Sequence, residues 1–253
     1  MAVTGIESAR HKLDRAAYHV ADLAARVEVF TEEHPIEVHA LWQPSTTHPG
    51  EVDCQAIAVT EPSDVPEVWS LITGDALTCI RAALDHAVYP HAWQFQILLS
   101  AVDQKGNPVV PKPVHSPAVT AVIEQCQPYH WPSAHHQPLG VLTELVNEDK
   151  HRQLLVTNGF SAQIQIVAPD GYAITHEDPQ SGANLEKGSV ITRFRLAQTG
   201  VGPFEFQYQK HLRVTPVIDI PKTTDYRELI PELQTIHRYV TDVVDQLEAA
   251  GLS

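Results

Sequence analysis

Residues 68–88 read VWSLITGDALTCIRAALDHAV, and the way these side chains sort around a helix decides the fold. At about 100° per residue, Ile72, Ala76, Leu77, Ile80, Ala83, Leu84, Ala87 and Val88 gather on one side. Gly74, Asp75, Thr78, Arg81, Ala82, Asp85 and His86 share the other. The apolar side needs a core to pack against, so a long amphipathic helix is predicted over residues 66–89. Pro62-Ser63-Asp64 supplies its turn and N-cap chemistry, and Gly74 weakens its middle.

Upstream, Leu13, Ala16, Ala17, Val20, Leu23, Ala24, Val27 and Phe30 recur at spacings of three and four, which predicts a first helix over residues 8–30. Alternation at Ile36, Val38, Ala40 and Trp42, a Pro/Gly loop at 44–50 and an extended run at 52–60 read as a β-hairpin. Downstream, residues 94–102 read as a strand. Residues 105–117 read as a proline-rich loop with a Gly106-Asn107 turn, and 117–126 and 138–150 as short helices. After Arg152 the pattern turns to β: strands at 163–167, 189–197 and 204–218, separated by Asn158-Gly159, Asp170-Gly171 and 200–203. A final helix over 226–250 carries the stripe Leu229, Leu233, Ile236, Val240, Val243, Val244 and Leu247. Pro231 either lies in its first turn or kinks it, and Gly251 lies beyond its end. Helices and strands fall in separate runs without βαβ alternation. The expected fold is therefore α+β, a helical bundle combined with a mostly antiparallel sheet. The expected division is a mainly helical part, 1–153, with the hairpin (36–60) inserted, and a β-rich part, 154–253, closed by a helix; one integrated domain is the other arrangement.

The chain of 253 residues carries 31 acidic and 17 basic side chains, a net charge of −14. That excess of acid argues against broad nucleic-acid binding, which requires surplus Lys and Arg to neutralise phosphates. Cys54, Cys79 and Cys126 are odd in number and widely spaced, the pattern of free thiols in a reducing compartment. No secretory signal is visible at the N-terminus, and no apolar run approaches the ~20 residues that span a bilayer. A cytoplasmic, acidic protein without membrane partners is expected.

The polar side of residues 68–88 has two readings. As a solvated face it needs only an Arg81–Asp85 i,i+4 pair, worth ~0.3 kcal/mol. Yet it holds neither Lys nor Glu, the usual residues of such a face; it holds Thr, Asp, Arg and His, which suit specific hydrogen bonds. The run Asp149-Lys150-His151-Arg152 likewise has a plain explanation, cations at a helix C-terminus. In its functional reading, Lys150, His151 or Arg152 meets Asp75 and Asp85 in an ionic network that either locks the helices together or binds an anionic ligand.

The string Gly74-Asp75, followed by Arg81-Ala-Ala-Leu-Asp85-His86, resembles a motif of a bacterial family of unassigned activity, frequent in actinobacteria. Gln127-Pro128-Tyr129 and Asn147-Glu-Asp149-Lys150-His151-Arg152 resemble that family's next landmarks, in the same order. The resemblance covers residues 60–155 and implies architecture. Members more often carry His-Asn where this chain has Thr78-Cys79. A second resemblance is that of Arg81-x4-His86 to the Arg-x4-6-His signature of HEPN domains, many of which are metal-independent ribonucleases acting as dimers. It implies that Arg81 holds a phosphate and stabilises developing charge, and that His86 moves a proton. On one helix these residues point about 140° apart, so a partner subunit or side-chain reach must unite them.

Fifteen histidines raise the question of metal. His86 and His91 are five apart, not the three or four that put two ligands on one helix face. No metal site is assigned. Phosphate-binding, dinucleotide and Gly-x-Ser-x-Gly motifs are missing, so no cofactor is expected. The sequence therefore leads to a ligand- or partner-binding protein, with Asp75, Asp85, Asp149, Lys150, His151 and Arg152 as binding candidates and a small anion as the ligand. The alternative is a HEPN-like endoribonuclease using Arg81 and His86 on RNA, as a homodimer.

Overall fold

The computed structural model describes residues 5–89, 91–161, 166–179, 181–183, 185–201, 207–208, 211–212 and 215–253. In chain order the elements are α1 (Gly5–Glu33), β1 (Ile36–Pro44), β2 (Glu51–Ala58), α2 (Val68–Val88), α3 (Pro117–Gln125) and α4 (Pro138–His151). They continue with β3 (Val156–Ser161), β4 (Ile166–Val167), β5 (Tyr172–Pro179), β6 (Ser181–Ala183), β7 (Val190–Gln198), β8 (Gln207–Tyr208) and β9 (His211–Leu212). The chain ends with β10 (Thr215–Asp219), β11 (Tyr226–Glu228) and α5 (Leu229–Ala249). The fold class is α+β with antiparallel pairing. No helix among the described residues is long and apolar enough to cross a membrane.

The chain forms two compact units, and both are discontinuous in sequence. One comprises Met1–Ala25, Pro66–Val156 and Ile218–Ser253; the other comprises Arg26–Val65 and Thr157–Val217. This differs from a cut near residue 153: the hairpin groups with the later strands, and the last helix groups with the helices.

In the helical unit, α2 contacts α4 and α5, and α4 and α3 also contact α5. Leu77, Ile80 and Leu84 of α2, Leu139, Leu142 and Leu145 of α4, and Ile236, Val240 and Val244 of α5 are fully buried. Local chemistry fixes the ends. Ser116 caps α3 by accepting the Val119 N–H at 3.2 Å, with Pro117 at the first position. The buried Gln137 side chain accepts from Leu139 and Gly140 N–H at 2.7 and 3.2 Å at the start of α4. α5 begins at Leu229, which places Pro231 in its first turn and decides between the two alternatives. At its end Gly251 adopts φ +105°, its N–H reaches Glu248 O, and Leu252 N–H reaches Leu247 O. That paired closure satisfies terminal carbonyls and favours glycine.

In the other unit a five-stranded antiparallel sheet runs in the order β5-β7-β2-β1-β9. The predicted hairpin is its centre: Trp42 lies opposite Cys54 and Val38 opposite Ala58. Ile36, Val38, Ala56, Ala58, Leu185 and Ile191 form the apolar core under one face. β3 pairs with β6, and β4 with β8, both antiparallel.

Two expectations change. Residues 94–102 make no strand; only a Val102–Pro108 bridge forms, around the predicted Gly106 turn. Asn158-Gly159, read as a separator, lies within β3, where Asn158 Nδ2 donates to Ser63 O at 2.6 Å and so spends its side chain on a loop. The strand expected over 204–218 appears as β8, β9 and β10, with 204–206, 209–210 and 213–214 outside the described residues; 163–165 of another expected strand also lie outside them.

Candidate functional site

Arg81 and Asp85 do pair, at 3.0 Å, but their work extends beyond one helix. Arg81 Nη2 donates to Phe95 O at 2.7 Å, and Asp85 Oδ1 accepts the Phe95 N–H at 2.8 Å. Together the two side chains satisfy both backbone groups of a residue that is itself buried. Across the segment, fully buried Gln127 accepts the Leu98 N–H at 2.8 Å and donates to Gln96 O at 3.0 Å. Partners thus alternate along 95–98 as they do along a strand, where successive residues present N–H and C=O to opposite edges. Side chains take the place of a neighbouring strand, which is why an apolar, strand-like sequence here forms none.

Beside this clamp lies a cavity of about 280 Å³, lined by Arg81, the segment 94–98, and Thr143, Val146, Asn147 and Lys150 of α4. Arg81 Nη1 and Thr143 Oγ1 are buried and have no hydrogen-bond partner among the described residues. Native proteins seldom leave such atoms unpaired, because each costs about 1–3 kcal/mol. Burial pulls the Arg81 guanidinium below its ordinary value, and the Asp85 charge opposes that shift; arginine stays cationic regardless. Lys150 is exposed and forms no ion pair among the described residues. No acidic residue lines the cavity, although acids outnumber bases in the chain. Thr143 and Gln127 carried no site assignment in the sequence. A threonine on a helix looks like surface until its neighbours are known, whereas Gln127 falls within the Gln127-Pro128-Tyr129 landmark.

The other candidates disperse. Asp149 does not join cations in a network: its carboxylate fills the space at Gly74, where an added methyl carbon would stand 2.5 Å from Oδ1. Burial first, then the charge of Asp75, raises the Asp149 carboxyl above its ordinary value. Gly74 is therefore a close-approach point between α2 and α4 and not part of a solvated face. Arg152, just past the end of α4, is exposed and meets Glu148 of that helix at 3.7 Å. His151 is exposed and lines a separate groove with Arg152 and Lys222. His86 Nδ1 shares a 2.7 Å hydrogen bond with Ser8 of α1 and does not line the Arg81 cavity. Within one chain, Arg81 and His86 thus engage different partners.

A further cluster was not anticipated. Glu144, only 3% exposed at its side chain, meets Lys222 Nζ at 2.9 Å and lies 3.2 Å from His135 Nδ1, near enough for charge pairing but misaligned for a hydrogen bond. Lys222 holds φ +64°, a conformation non-glycine residues avoid. This buried carboxylate is already matched. Among the described residues no group of three or more His, Cys, Asp or Glu is placed to hold a metal ion. The three thiols are free; burial pushes those of Cys54 and Cys126 up to about 12.

A larger hollow, about 710 Å³, lies on the sheet of the β unit, lined among others by Trp42, Asp53, Arg193 and Arg195. Its half-buried cation is spoken for: Arg195 Nε meets Asp53 at 3.0 Å and Glu51 at 3.4 Å. Acid and base alternate across its strands, as on a solvated sheet face. Size favours this hollow, but unmet hydrogen-bonding capacity favours the smaller one, and unmet capacity is what a ligand satisfies. Compared with known proteins, the chain matches no family model, no curated protein and no solved structure.

Proposed function

We propose that the protein binds a small anionic ligand in the cavity between α2, the segment 94–98 and α4. The single observation carrying this reading is that Arg81 and Thr143, each with a buried polar atom (Nη1 and Oγ1) lacking a partner among the described residues, line one cavity without acidic residues. A bound oxyanion accepts from both, and Lys150 adds charge at the mouth. Asp85 and Phe95 hold the guanidinium in place beforehand, so little side-chain entropy is lost on binding.

Titration of the purified chain with a panel of carboxylates and oxyanions, followed by melting temperature and amide NMR shifts, tests the proposal. Saturable shifts at residues 94–98 and 143–150 are expected, weakened in Thr143→Val. A panel that leaves every one of those amides unmoved refutes it. The ribonuclease alternative is separated by incubating mixed RNA with chelator and the parent, Arg81→Ala and His86→Ala chains. The binding reading expects equal, negligible cleavage by all three; chelator-resistant cleavage lost in both variants would favour the nuclease.

A further inference from the structure

From the charge balance of the same cavity, and resting on the anion-binding reading above, we infer that the ligand is a short-chain monocarboxylate with a partly apolar body. Three charged groups act at the site: Arg81 and Lys150 are positive, and Asp85, bonded to Arg81, is negative. Their sum is one positive charge, which matches a single carboxylate. A phosphate dianion would bring a second negative charge with nothing to compensate it, and buried uncompensated charge is costly.

Two features of the backbone point the same way. The α4 residues at the cavity, Thr143 to Lys150, occupy the C-terminal half of a helix that ends at His151. That end carries the negative pole of the helix dipole, unfavourable for a dianion. No helix N-terminus and no glycine contributes to the lining, so the backbone N–H cradle typical of phosphate sites is missing among the described residues. What the cavity offers instead suits a carboxylate. Two donors, Arg81 Nη1 and Thr143 Oγ1, are unspent. The Ile97 N–H, on the edge of the segment that faces the Arg81–Asp85 clamp in the strand-like alternation, also has no partner among the described residues.

The rest of the lining is mixed: the side chains of Phe95, Ile97, Leu98 and Val146 stand beside the amides of Gln94, Gln96 and Asn147. A purely inorganic ion would leave these side chains without contact, whereas a hydrocarbon chain covers them. At about 280 Å³ the cavity lies just under the roughly 300–1,000 Å³ of pockets for drug-sized molecules. A body of about four carbons, as in isovalerate, is accommodated by that volume.

The test titrates the full chain with isovalerate, inorganic phosphate and isoamyl alcohol at neutral pH, read by calorimetry and by amide shifts. Isovalerate should bind saturably, with phosphate and the alcohol at least about tenfold weaker. Lys150→Met, at an exposed position, and near-isosteric Thr143→Val should each weaken isovalerate several-fold while the melting temperature without ligand stays within about 2 °C for Lys150→Met. Phosphate binding as tightly as isovalerate overturns the monocarboxylate assignment and leaves the anion reading standing. The alcohol binding equally well overturns the role of charge. No saturable binding by isovalerate or phosphate removes both, and isovalerate binding untouched by either variant places the ligand elsewhere and overturns the assignment.

Discussion

Asp85 serves two donors at once, the Arg81 guanidinium and the Phe95 N–H. Asp85→Ala should therefore cost about 2–4 kcal/mol in urea unfolding, since it strands a buried donor and leaves a half-buried cation without its counter-charge. A surface i,i+4 pair would cost a tenth of that, so an unchanged midpoint would return Asp85 to the solvated face. Asp149 behaves in the opposite sense. Its carboxyl is raised in the folded chain, by burial and by Asp75, so the folded state binds a proton more tightly than the unfolded state does. This group's contribution to stability therefore falls as pH rises from the ordinary carboxylate value through the raised one. Asp149→Asn should melt higher than the parent at pH 7, and the gap should close once the pH drops below the ordinary carboxylate range. Melting curves across pH 3–8 read this directly. The pairing of Arg81 with Asp85 was legible in the sequence from spacing alone. Their grip on Phe95 was not, because nothing in a string of residues shows which distant backbone group a side chain will reach.

At the scale of elements, α4 is set by its entrance. Gly140 passes so close to the Ala134 carbonyl that a methyl group has no room, and the obstacle is backbone, which cannot swing aside. Gly140→Ala should lose about 2 kcal/mol or more through overpacking, despite the helix preference of alanine, worth about 1 kcal/mol. A gain in urea midpoint would contradict the contact. At Gly74 the neighbour is the mobile end of the Asp149 side chain, so alanine there should be milder, and milder still when Asp149 is also replaced. Helix periods were readable for α1, α2 and α5 because each keeps a continuous buried stripe. The stretch 94–98 was misread because its sequence carries strand propensity, while its hydrogen bonds are supplied by Arg81, Asp85 and Gln127. Propensity records what a backbone prefers and is silent about which partner completes it.

At the scale of the molecule, the last helix closes a core begun by α2. Ile236, Val240 and Val244 are fully buried, and α5 contacts α2, α3 and α4. A chain ending at residue 217 should therefore fail to unfold cooperatively, because it leaves the apolar side of α2 uncovered. Circular dichroism with a sharp two-state transition in that truncation would count against α5 as part of this unit. Thiol titration offers a second global probe. Cys54 and Cys126 are buried with thiols pushed up to about 12, whereas Cys79 is half-buried. One thiol should react promptly with a disulfide reagent in the native chain, and all three after unfolding.

Periodicity and turn chemistry in the sequence were enough to establish the α+β class, the long helices, the central hairpin and the place of Gly251, because these depend on contacts within a few residues. The tertiary structure alone decided that Gln127 and Arg81 stand in for a strand, that Asp149 fills the gap at Gly74, and that Thr143 shares a cavity with Arg81. Those arrangements join residues 14 to more than 60 positions apart. Which groups meet across such distances is settled by how packed helices exclude water, and only then does an unspent hydrogen bond become visible as a place for a ligand.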